Sequence, residues 1–580
     1  MKFTALELLE TYVSSAETHS VALGDYAPGI HCTNHAFFKK EADGSIPWVV
    51  SRSCDHAGGK LRFCDGDSSK AICPLHNWEF DFNNLSYTKI PNQTFEHITK
   101  NSLPFSVKGN TLTYETEQLN LRVPSSIPQP KTPIEVELRF ITHASVMLEL
   151  NGLKLLTDPW YVGECLAGGW WLKQPPKADA WELLKSADLL YISHNHPDHL
   201  HTETLAHAHR DIPIIVPKFD TDSVTTPLRD LGFTNIHELE LKRLYRVNNS
   251  ELLISILPTG DHRDDSGLFV VQGDFSAVLT VDCVGTNQYV LPQDISILLT
   301  NFASGASGWP LCYEVVGSLD ERAKIVTKNR GNAVLEVMKY IAATKPRVYM
   351  PYAGFFDERA PRDHTIKTYN VKNSSASIVE KVTAKFPMVQ AIDPLLHDRI
   401  HWKNGEAMVS NIDQPPLFTY DATTITHYLD AQRKMLKKFD IEKIAEYFSQ
   451  SEFKDDLIVY LALTDDDYTP TGPSLRIDFS TTPITHKVID GPTLLAQFNA
   501  LTELNGKHHL LIKARTDSLW RLVHEGRPLE ELTLGFQCRI DRKPDQYSAA
   551  FWQHYTTHGA PMLKRGEDRL LYKLLEGSDG

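Results

Sequence analysis

The sequence predicts a multidomain protein of the α+β class, with a β-rich N-terminal domain, a central layered domain and a C-terminal mixed α/β region. The chain has 580 residues, whereas one hydrophobic core usually serves about 100–200 residues. Hydrophobic residues make up 42% of the chain and charged residues 23%, which is typical of globular proteins. A proline-rich stretch and a change in the pattern of strands and helices then divide the chain.

The first part of the chain predicts a β-rich domain behind a short leading segment. Residues 1–20 are expected to form an N-terminal helical segment. Over 21–125, short apolar runs such as Ile46–Val50 and Thr111–Tyr114 alternate with Gly, Asn and Asp turns, as in β-hairpins. Val123–Pro133 holds four prolines in eleven residues and predicts an extended linker.

The second part predicts a layered domain over 134–400. Apolar strand candidates such as Val136–Thr142 and Leu189–Ser193 alternate there with amphipathic helical segments. The remaining residues, 415–580, form an α+β region in which Ile425–Phe448 is helix-like. Three domains are therefore expected after the N-terminal segment.

Charge and cysteine content narrow the class of function. The chain has 59 Lys and Arg against 73 Asp and Glu, a net charge of −14, which argues against a nucleic-acid binder but allows a local basic pocket for one anionic ligand. Neither a signal peptide nor an apolar run of about 20 residues is found in the sequence, so a cytoplasmic location without a membrane span is expected. The eight cysteines are too few for a disulfide scaffold.

The first metal motif lies in the β-rich domain. Cys54-Asp-His56 is followed by Cys73-Pro-Leu-His76. Two thiolates and two imidazoles in this order can hold the two irons of a Rieske 2Fe-2S cluster. A Cys2His2 zinc site would use the same ligand types, but zinc fingers rarely begin with Cys-x-His, and the β-rich surroundings favour the cluster.

The second metal motif follows a predicted strand. Ser193-His194-Asn-His196-Pro-Asp198-His199 places three imidazoles and a carboxylate within six residues, which favours metal binding. The motif resembles that of the metallo-β-lactamase superfamily, and the resemblance extends over residues 134 to about 360 of the chain. It implies an αββα sandwich. His262 and Asp282 match later ligands of the superfamily. The candidate catalytic metal ligands are His194, His196, Asp198, His199, His262 and Asp282.

One part of the superfamily pattern is missing. After the last core strand, where many superfamily hydrolases have a histidine, the chain reads Tyr349-Met-Pro-Tyr352-Ala-Gly-Phe-Phe356. A dinuclear hydrolytic site would lack a ligand there, whereas a mononuclear Fe(II) needs fewer ligands and open positions for oxygen. The Rieske cluster could supply electrons to such an iron one at a time. The sequence therefore predicts a monooxygenase with roughly three irons per chain, two in the cluster and one mononuclear.

Over nearly its whole length the chain resembles the CMP-N-acetylneuraminate hydroxylases. The likeness includes Gly169–Leu172, Asn301–Pro310, Pro351–Phe355 and Leu534–Arg539. It implies hydroxylation of the N-acetyl methyl group of CMP-N-acetylneuraminate to N-glycolyl, with O2 as co-substrate. It further implies a cytochrome b5 or ferredoxin type electron donor, with an NAD(P)H reductase, and a small anionic nucleotide sugar as substrate.

Five further residues are candidates for substrate contact. His143 could ligate metal, bind substrate or support the site. Paired tryptophans could stack a base, although such pairs more often fill a core. Small residues in the loop 303–307 could let the backbone approach an anion, or could form a tight turn. The candidates are His143, Trp170, Trp171, Ser304 and Ser307.

Three alternatives stay open at this stage. The first is an oxygenase of the same architecture that acts on another polar N-acyl or amine substrate. The second is a zinc metallo-hydrolase whose Rieske domain senses redox state, although the missing histidine argues against it. The third is an electron-transfer or scaffold protein with an inactive central domain, which the intact motif at 194–199 disfavours.

Overall fold

The fold was determined as a computed structural model. It describes residues 6–8, 15–54, 60–64, 66–73, 79–89, 100, 102–118, 132–261 and 263–557. These residues form the predicted multidomain α+β protein, with a β-rich N-terminal domain, a central domain of two packed sheets and a C-terminal α+β domain.

The N-terminal domain consists of three small antiparallel sheets. One sheet has four strands and the other two have three each. Phe37, Val50, Phe80 and Phe82 pack in its core together with the first cysteines of both Rieske half-motifs. In sheet order the strands are Arg62–Cys64, Asp67–Ile72, Glu79–Asp81 and Ser86–Lys89; Gly29–Cys32, Ala36–Lys40 and Val49–Ser51; Phe105–Lys108, Thr111–Gln118 and Ser15–Ala22.

The prediction of a helical segment over 1–20 is wrong where the structure describes it. Leu6–Leu8 is a strand that pairs with Leu244–Val247 of the central domain. Ser15–Ala22 is a strand that pairs with Thr111–Gln118. Both partners are distant in the sequence, and pairing with them outweighs the local helical preference.

The central domain is a sandwich of two eight-stranded sheets that share one hydrophobic core. The first sheet has the order Leu6–Leu8, Leu244–Val247, Leu253–Pro258, Ser266–Gln272, Phe275–Leu279, Ile297–Thr300, Val348–Pro351 and Gln390–Ala391. The second has the order Ile236–Leu239, Ile214–Pro217, Leu189–Tyr191, Leu153–Thr157, Ser145–Leu150, Val136–Thr142, Arg399–Lys403 and Glu406–Ser410. This domain therefore continues past the predicted end at residue 400.

Helices pack on both outer faces of the sandwich, which gives the αββα order. Val337 and Tyr340 of the longest helix, and Ile378 and Val382 of a later one, join the sandwich core. Leu184, Leu205 and Leu228 cover the opposite face. The α-helices are Ala180–Ser186, Thr202–Leu205, Thr225–Asp230, Leu319–Thr344, His364–Tyr369 and Ser375–Lys385, and a small third sheet joins Glu164–Cys165, Trp170–Leu172 and Phe356–Asp357.

The C-terminal domain is one five-stranded sheet with helices on its faces. Its central pair, Leu457–Thr464 and His508–Arg515, is parallel, and the other neighbours are antiparallel. In sheet order the strands are Thr485–Asp490, Pro473–Asp478, Leu457–Thr464, His508–Arg515 and Cys538–Lys543. The α-helices are Ala422–Lys434, Ile441–Ser449, Gly491–Asn499, Thr516–His524, Glu531–Leu534 and Ala549–Thr557.

The C-terminal and central domains share a core. Trp160, Trp170 and Phe356 of the central domain pack in one cluster with Trp520 and Phe536 of the C-terminal domain. In the part of the chain that the structure describes, no helix is both long and apolar enough to span a membrane.

Candidate active site

The histidine motif lies where two parallel strands of the second sheet end. Leu153–Thr157 and Leu189–Tyr191 are neighbours in that sheet and run in the same direction. Their carboxyl ends therefore meet at one edge, which brings Asp158 beside Ser193 and the motif that follows it. His194 and His199 are fully buried there, and Asp198 is 2% exposed.

Asp158 orients two of the imidazoles. Its carboxylate accepts hydrogen bonds from the backbone N–H of Ser193 at 2.8 Å and the Ser193 hydroxyl at 2.7 Å, and lies 2.9 Å from Nδ1 of His199. The same hydroxyl oxygen lies 2.9 Å from Nδ1 of His194. With both Nδ1 atoms engaged, the Nε2 atoms of His194 and His199 are left to face the site.

Five of the six predicted metal ligands converge, and the sixth, His262, lies outside the described residues. Nε2 of His194 is 2.9 Å from Nδ1 of His196. Nε2 of His199 is 3.4 Å from Oδ2 of Asp198 and 3.5 Å from Oδ2 of Asp282. Ligand atoms of His194, His199 and Asp282 all lie within 4.8 Å of one another. This is the spacing of donors around a bound metal ion.

The carboxylates of the site shift the pKa of His199 upward. Burial lowers the pKa of His199, but Asp198 and Asp282 more than offset this and hold it well above the usual value. Burial raises the pKa of Asp198, yet His199 and His143 hold it well below its usual range. Asp198 and Asp282 therefore favour a positive charge at or beside His199, a role that a bound cation could take.

Three residues of the site were missed by sequence reasoning. Asp265 lies 3.8 Å from Nε2 of His194 and forms a metal-ligand group with His194 and His196. Glu530 of the C-terminal domain lies 3.6 Å from Nε2 of His196. Asn301 donates a hydrogen bond to Asp282 at 3.0 Å. Asp265 lies three residues after the predicted ligand His262, and this proximity in the sequence could have indicated a further ligand. Glu530 is far from the motif in the sequence, and only the folded structure brings it beside His196.

The donor set fits a metal ion. Nε2 of His199 and Oδ2 of Asp265 are buried and make no hydrogen bond among the described residues. Their nearest charged neighbours are Asp198, 3.4 Å from the first, and Arg263, 3.6 Å from the second. Burial raises the pKa of Asp265 to about 6, with Arg263 and His196 acting in the opposite direction. Buried polar atoms without partners are costly, and a bound cation would satisfy them.

Of the predicted substrate residues, His143 lies in a metal-ligand group, whereas Trp170 and Trp171 pack in the protein interior. His143 is in the site, with Nε2 at 3.1 Å from Oδ2 of Asp198. Trp170 stacks on Phe356 with ring centroids 3.4 Å apart, and Trp171 is fully buried. Both indoles thus pack inside the protein, and their contact with substrate stays a prediction.

The loop with the two predicted serines adjoins the site through Asn301. Ser304 is buried at a positive φ of 63°, and its hydroxyl has no hydrogen-bond partner among the described residues. A Cβ at Gly305 would lie 2.2 Å from the ring of Phe356. The backbone carbonyl of Ser307 accepts a hydrogen bond from Asn329. The loop is therefore tightly packed, and substrate contact by Ser304 and Ser307 stays a prediction.

The predicted cluster ligands are described in part. Cys54 and Cys73 are both fully buried in the N-terminal core. His56 and His76 lie outside the described residues. Two buried thiols in one core of a small β domain fit the thiolate half of a Rieske cluster.

Comparison with domain families confirms both metal domains. Residues 12–100 match the Rieske [2Fe-2S] domain. Residues 137–271 match the beta-lactamase superfamily domain. The predicted fold class and the 2Fe-2S cofactor are thereby confirmed, and the His/Asp group provides a second metal site.

Comparison with individual proteins covers most of the chain. It is 29% identical over 529 residues to the cytidine monophosphate-N-acetylneuraminic acid hydroxylase of Asterias rubens, spanning 86% of this chain and 77% of that protein. It is 29% identical over 539 residues to the protein of the same name in Mus musculus, spanning 87% and 88%. A solved structure, CmlA, a diiron beta-hydroxylase from Streptomyces venezuelae, gives 21% identity and a TM-score of 0.32 over 47% of this chain and 55% of that one.

The Rieske domain and the relatives named as hydroxylases confirm the prediction of an oxygen-dependent monooxygenase. The resemblance seen in the sequence motifs is also confirmed, because it extends over 86% of the chain. The chain thus joins a Rieske [2Fe-2S] domain to a beta-lactamase superfamily domain and is similar over most of its length to the cytidine monophosphate-N-acetylneuraminic acid hydroxylases.

Proposed function

We propose that this protein is a Rieske-type non-haem iron monooxygenase that hydroxylates the N-acetyl methyl group of CMP-N-acetylneuraminate to N-glycolyl. The observation that carries the proposal is the buried His/Asp group in a chain that also contains a Rieske domain. Similarity to hydroxylases of that name over 86% of the chain supports the choice of substrate.

The two metal groups would be held by residues of different domains. Cys54, His56, Cys73 and His76 would bind the 2Fe-2S cluster. His194, His196, Asp198, His199, His262 and Asp282 are the proposed catalytic metal ligands. When bound there, iron would supply the chemistry of oxygen activation, with electrons arriving singly from the cluster.

The surrounding residues prepare the site for this chemistry. Asp158 fixes the ring of His199 directly and that of His194 through Ser193. Asn301 holds one oxygen of Asp282, which leaves the other oxygen directed at His199. Burial of the ligands limits access of bulk water, which protects a reactive oxidant from side reactions.

The remaining partners belong to the same proposal. O2 is the co-substrate, and the electrons come from a cytochrome b5 or ferredoxin type donor with its NAD(P)H reductase. A cytoplasmic location stays a prediction from the sequence.

An oxygen-uptake assay tests the proposal. The iron-loaded protein and a chemical reductant are offered a panel of CMP-sugars and free N-acyl amines, and products are weighed by mass spectrometry. We expect uptake with CMP-N-acetylneuraminate and a product heavier by one oxygen atom.

Two results would contradict the proposal. Uptake restricted to another N-acyl compound or amine would support an oxygenase with a different substrate. Zinc at one or two equivalents in the central domain, with an intact cluster and no substrate-dependent uptake, would favour the metallo-hydrolase instead.

A further inference from the structure

The segment that lacks the superfamily's last histidine is bonded directly to His143. The strand Val348–Pro351 is followed by Tyr352, which is fully buried. The next residue, Ala353, donates its backbone N–H to the carbonyl oxygen of His143 at 2.9 Å. His143 therefore stands beside the position at which the missing histidine is expected.

The imidazole of His143 points into the metal group. Its Nε2 is 3.1 Å from Oδ2 of Asp198, and ligand atoms of His143, Asp198 and His199 lie within 4.8 Å of one another. All three residues are at most 2% exposed. The ring packs edge-on against Trp160 at 5.3 Å, and its Nδ1 has no hydrogen-bond partner among the described residues.

The backbone of His143 is held in an unusual conformation. Its φ is 44°, in the left-handed region that non-glycine residues rarely adopt. Such conformations persist where the surrounding structure enforces them, commonly at functional sites. Asp158, Val281 and Ala353, which neighbour the same ligands in the chain or in space, also have positive φ.

Two of the three ligand groups share no residue. His143, Asp198 and His199 make one group, and His194, His196 and Asp265 make the other. The third group, His194, His199 and Asp282, takes one histidine from each. Donors to one ion lie about 2.0–2.2 Å from it, so the two groups that share no residue offer two neighbouring ion positions, and the third group lies between them.

We infer that His143 is a metal ligand, which completes with Asp198 and His199 a second metal position beside the one at His194, His196 and Asp265. His143 thereby replaces the histidine that the sequence lacks after the last core strand. The inference replaces the expected mononuclear site by a dinuclear one, and it rests on the proposed function only for the identity of the metal.

The experiment counts metal ions in the full-length protein. Metals are measured by mass spectrometry, and the Rieske cluster is counted separately from its visible absorbance. We expect about four ions per chain in the wild type, two in the cluster and two in the central domain. His143→Asn should lose about one ion and keep the cluster, because Asn tolerates the positive φ at this position.

His201→Asn is the matched control. His201 is also a buried histidine next to Trp160, with ring centroids 6.1 Å apart, but it belongs to none of the three metal-ligand groups. Its Nδ1 accepts from the backbone N–H of Thr204 at a helix start, a role that Asn can fill. This variant should keep all the metal.

The inference is overturned if the wild type holds one ion outside the cluster, or if His143→Asn keeps both. Should His143→Asn also lose the cluster, an anomalous-difference map of wild-type crystals decides, because a metal peak within about 2.2 Å of Nε2 of His143 is required. Zinc in both positions would contradict the oxygenase while leaving His143 a ligand.

Discussion

At the scale of single residues, the carboxylate of Asp158 controls the site without belonging to any of the metal-ligand groups. It accepts two hydrogen bonds from Ser193 and contacts Nδ1 of His199, and through the Ser193 hydroxyl it also fixes His194. Hydrogen bonds to the far nitrogen of a metal-binding imidazole set its tautomer and raise its basicity. Two of the proposed ligands, His194 and His199, therefore depend on one carboxylate.

Asp158→Asn should weaken metal binding by about 10- to 100-fold. One carboxylate oxygen accepts the backbone N–H of Ser193, and the other contacts the Ser193 hydroxyl and His199. An amide replaces one of these oxygens by an NH2 donor, so it cannot keep all three contacts. Titration of the metal-depleted protein with Fe(II) under anaerobic conditions measures the change. Asp188→Asn, which alters a carboxylate bonded to the backbone of Lys154, should bind as the wild type does, and equal affinity in the two variants would contradict the role of Asp158.

At the scale of elements, two of the segments that carry the family likeness meet each other. Trp170 of the strand Trp170–Leu172 donates its indole N–H to the carbonyl of Leu534 at 2.9 Å. A Cβ on Gly169 would lie 2.0 Å from the carbonyl oxygen of Gly535, and a Cβ on Gly535 would lie 1.9 Å from that of Leu166. These glycines therefore allow two backbones to touch between the central and C-terminal domains.

Gly535→Ala should destabilise the protein by about 1–3 kcal/mol, because the added methyl group forces backbone atoms apart. Thermal unfolding followed by circular dichroism measures the loss. Gly331→Ala provides the comparison: it lies in the helix Leu319–Thr344 with no atom within 4 Å of its added Cβ. That variant should be stabilised by about 0.5–1 kcal/mol, and an equal melting temperature for both variants would contradict the contact.

The same domain boundary contains a buried ion pair. Arg521 of the helix Thr516–His524 pairs with Glu164 of the central domain and with Glu525, and all three side chains are at most 2% exposed. Arg521→Met should cost about 3–5 kcal/mol, since it leaves buried carboxylates without this partner. Urea unfolding of Arg521→Met beside the double variant Glu164→Leu/Arg521→Met tests this, because the double variant should recover part of the loss.

The ion pair also gives a pH dependence. Burial raises the pKa of Glu164, but Arg521 and Arg527 lower it further, so the net pKa lies below the usual value. A depressed carboxyl pKa stabilises the fold above the unfolded-state pKa, and that stability is lost as the pH falls through the folded-state value. Below about pH 4.5, wild-type stability should therefore fall more steeply than that of Glu164→Gln, and parallel unfolding curves in acid would rule this out.

At the scale of the whole molecule, the predicted cluster ligands Cys54 and Cys73 and the candidate metal site belong to domains with separate cores. Cys73→Ser should abolish the Rieske absorbance and turnover with a reductant, while the metal in the central domain is retained. Oxygen uptake, the visible spectrum and the metal count test this together. If turnover survives without the cluster, the protein does not relay electrons through it.

The sequence predicted local features well and long-range contacts poorly. His194, His196, Asp198 and His199 lie within six residues, so their spacing alone indicated a metal site. Glu530 lies more than 300 residues from the motif and reaches His196 only because the C-terminal domain packs against the sandwich. The strand Ser15–Ala22 was mistaken for helix because its partner, Thr111–Gln118, is about a hundred residues away.

The strand Leu6–Leu8 changes how the N-terminal domain is attached. It belongs to a sheet of the central domain, whereas the next strand, Ser15–Ala22, belongs to the N-terminal domain. The chain therefore leaves the central domain, builds the cluster domain and returns to the sandwich at Val136. Even a fully extended connection from Leu8 to Ser15 spans at most about 25 Å. The N-terminal domain therefore begins within that distance of the sandwich sheet, and an electron donor would have to bind the cluster domain beside the sandwich.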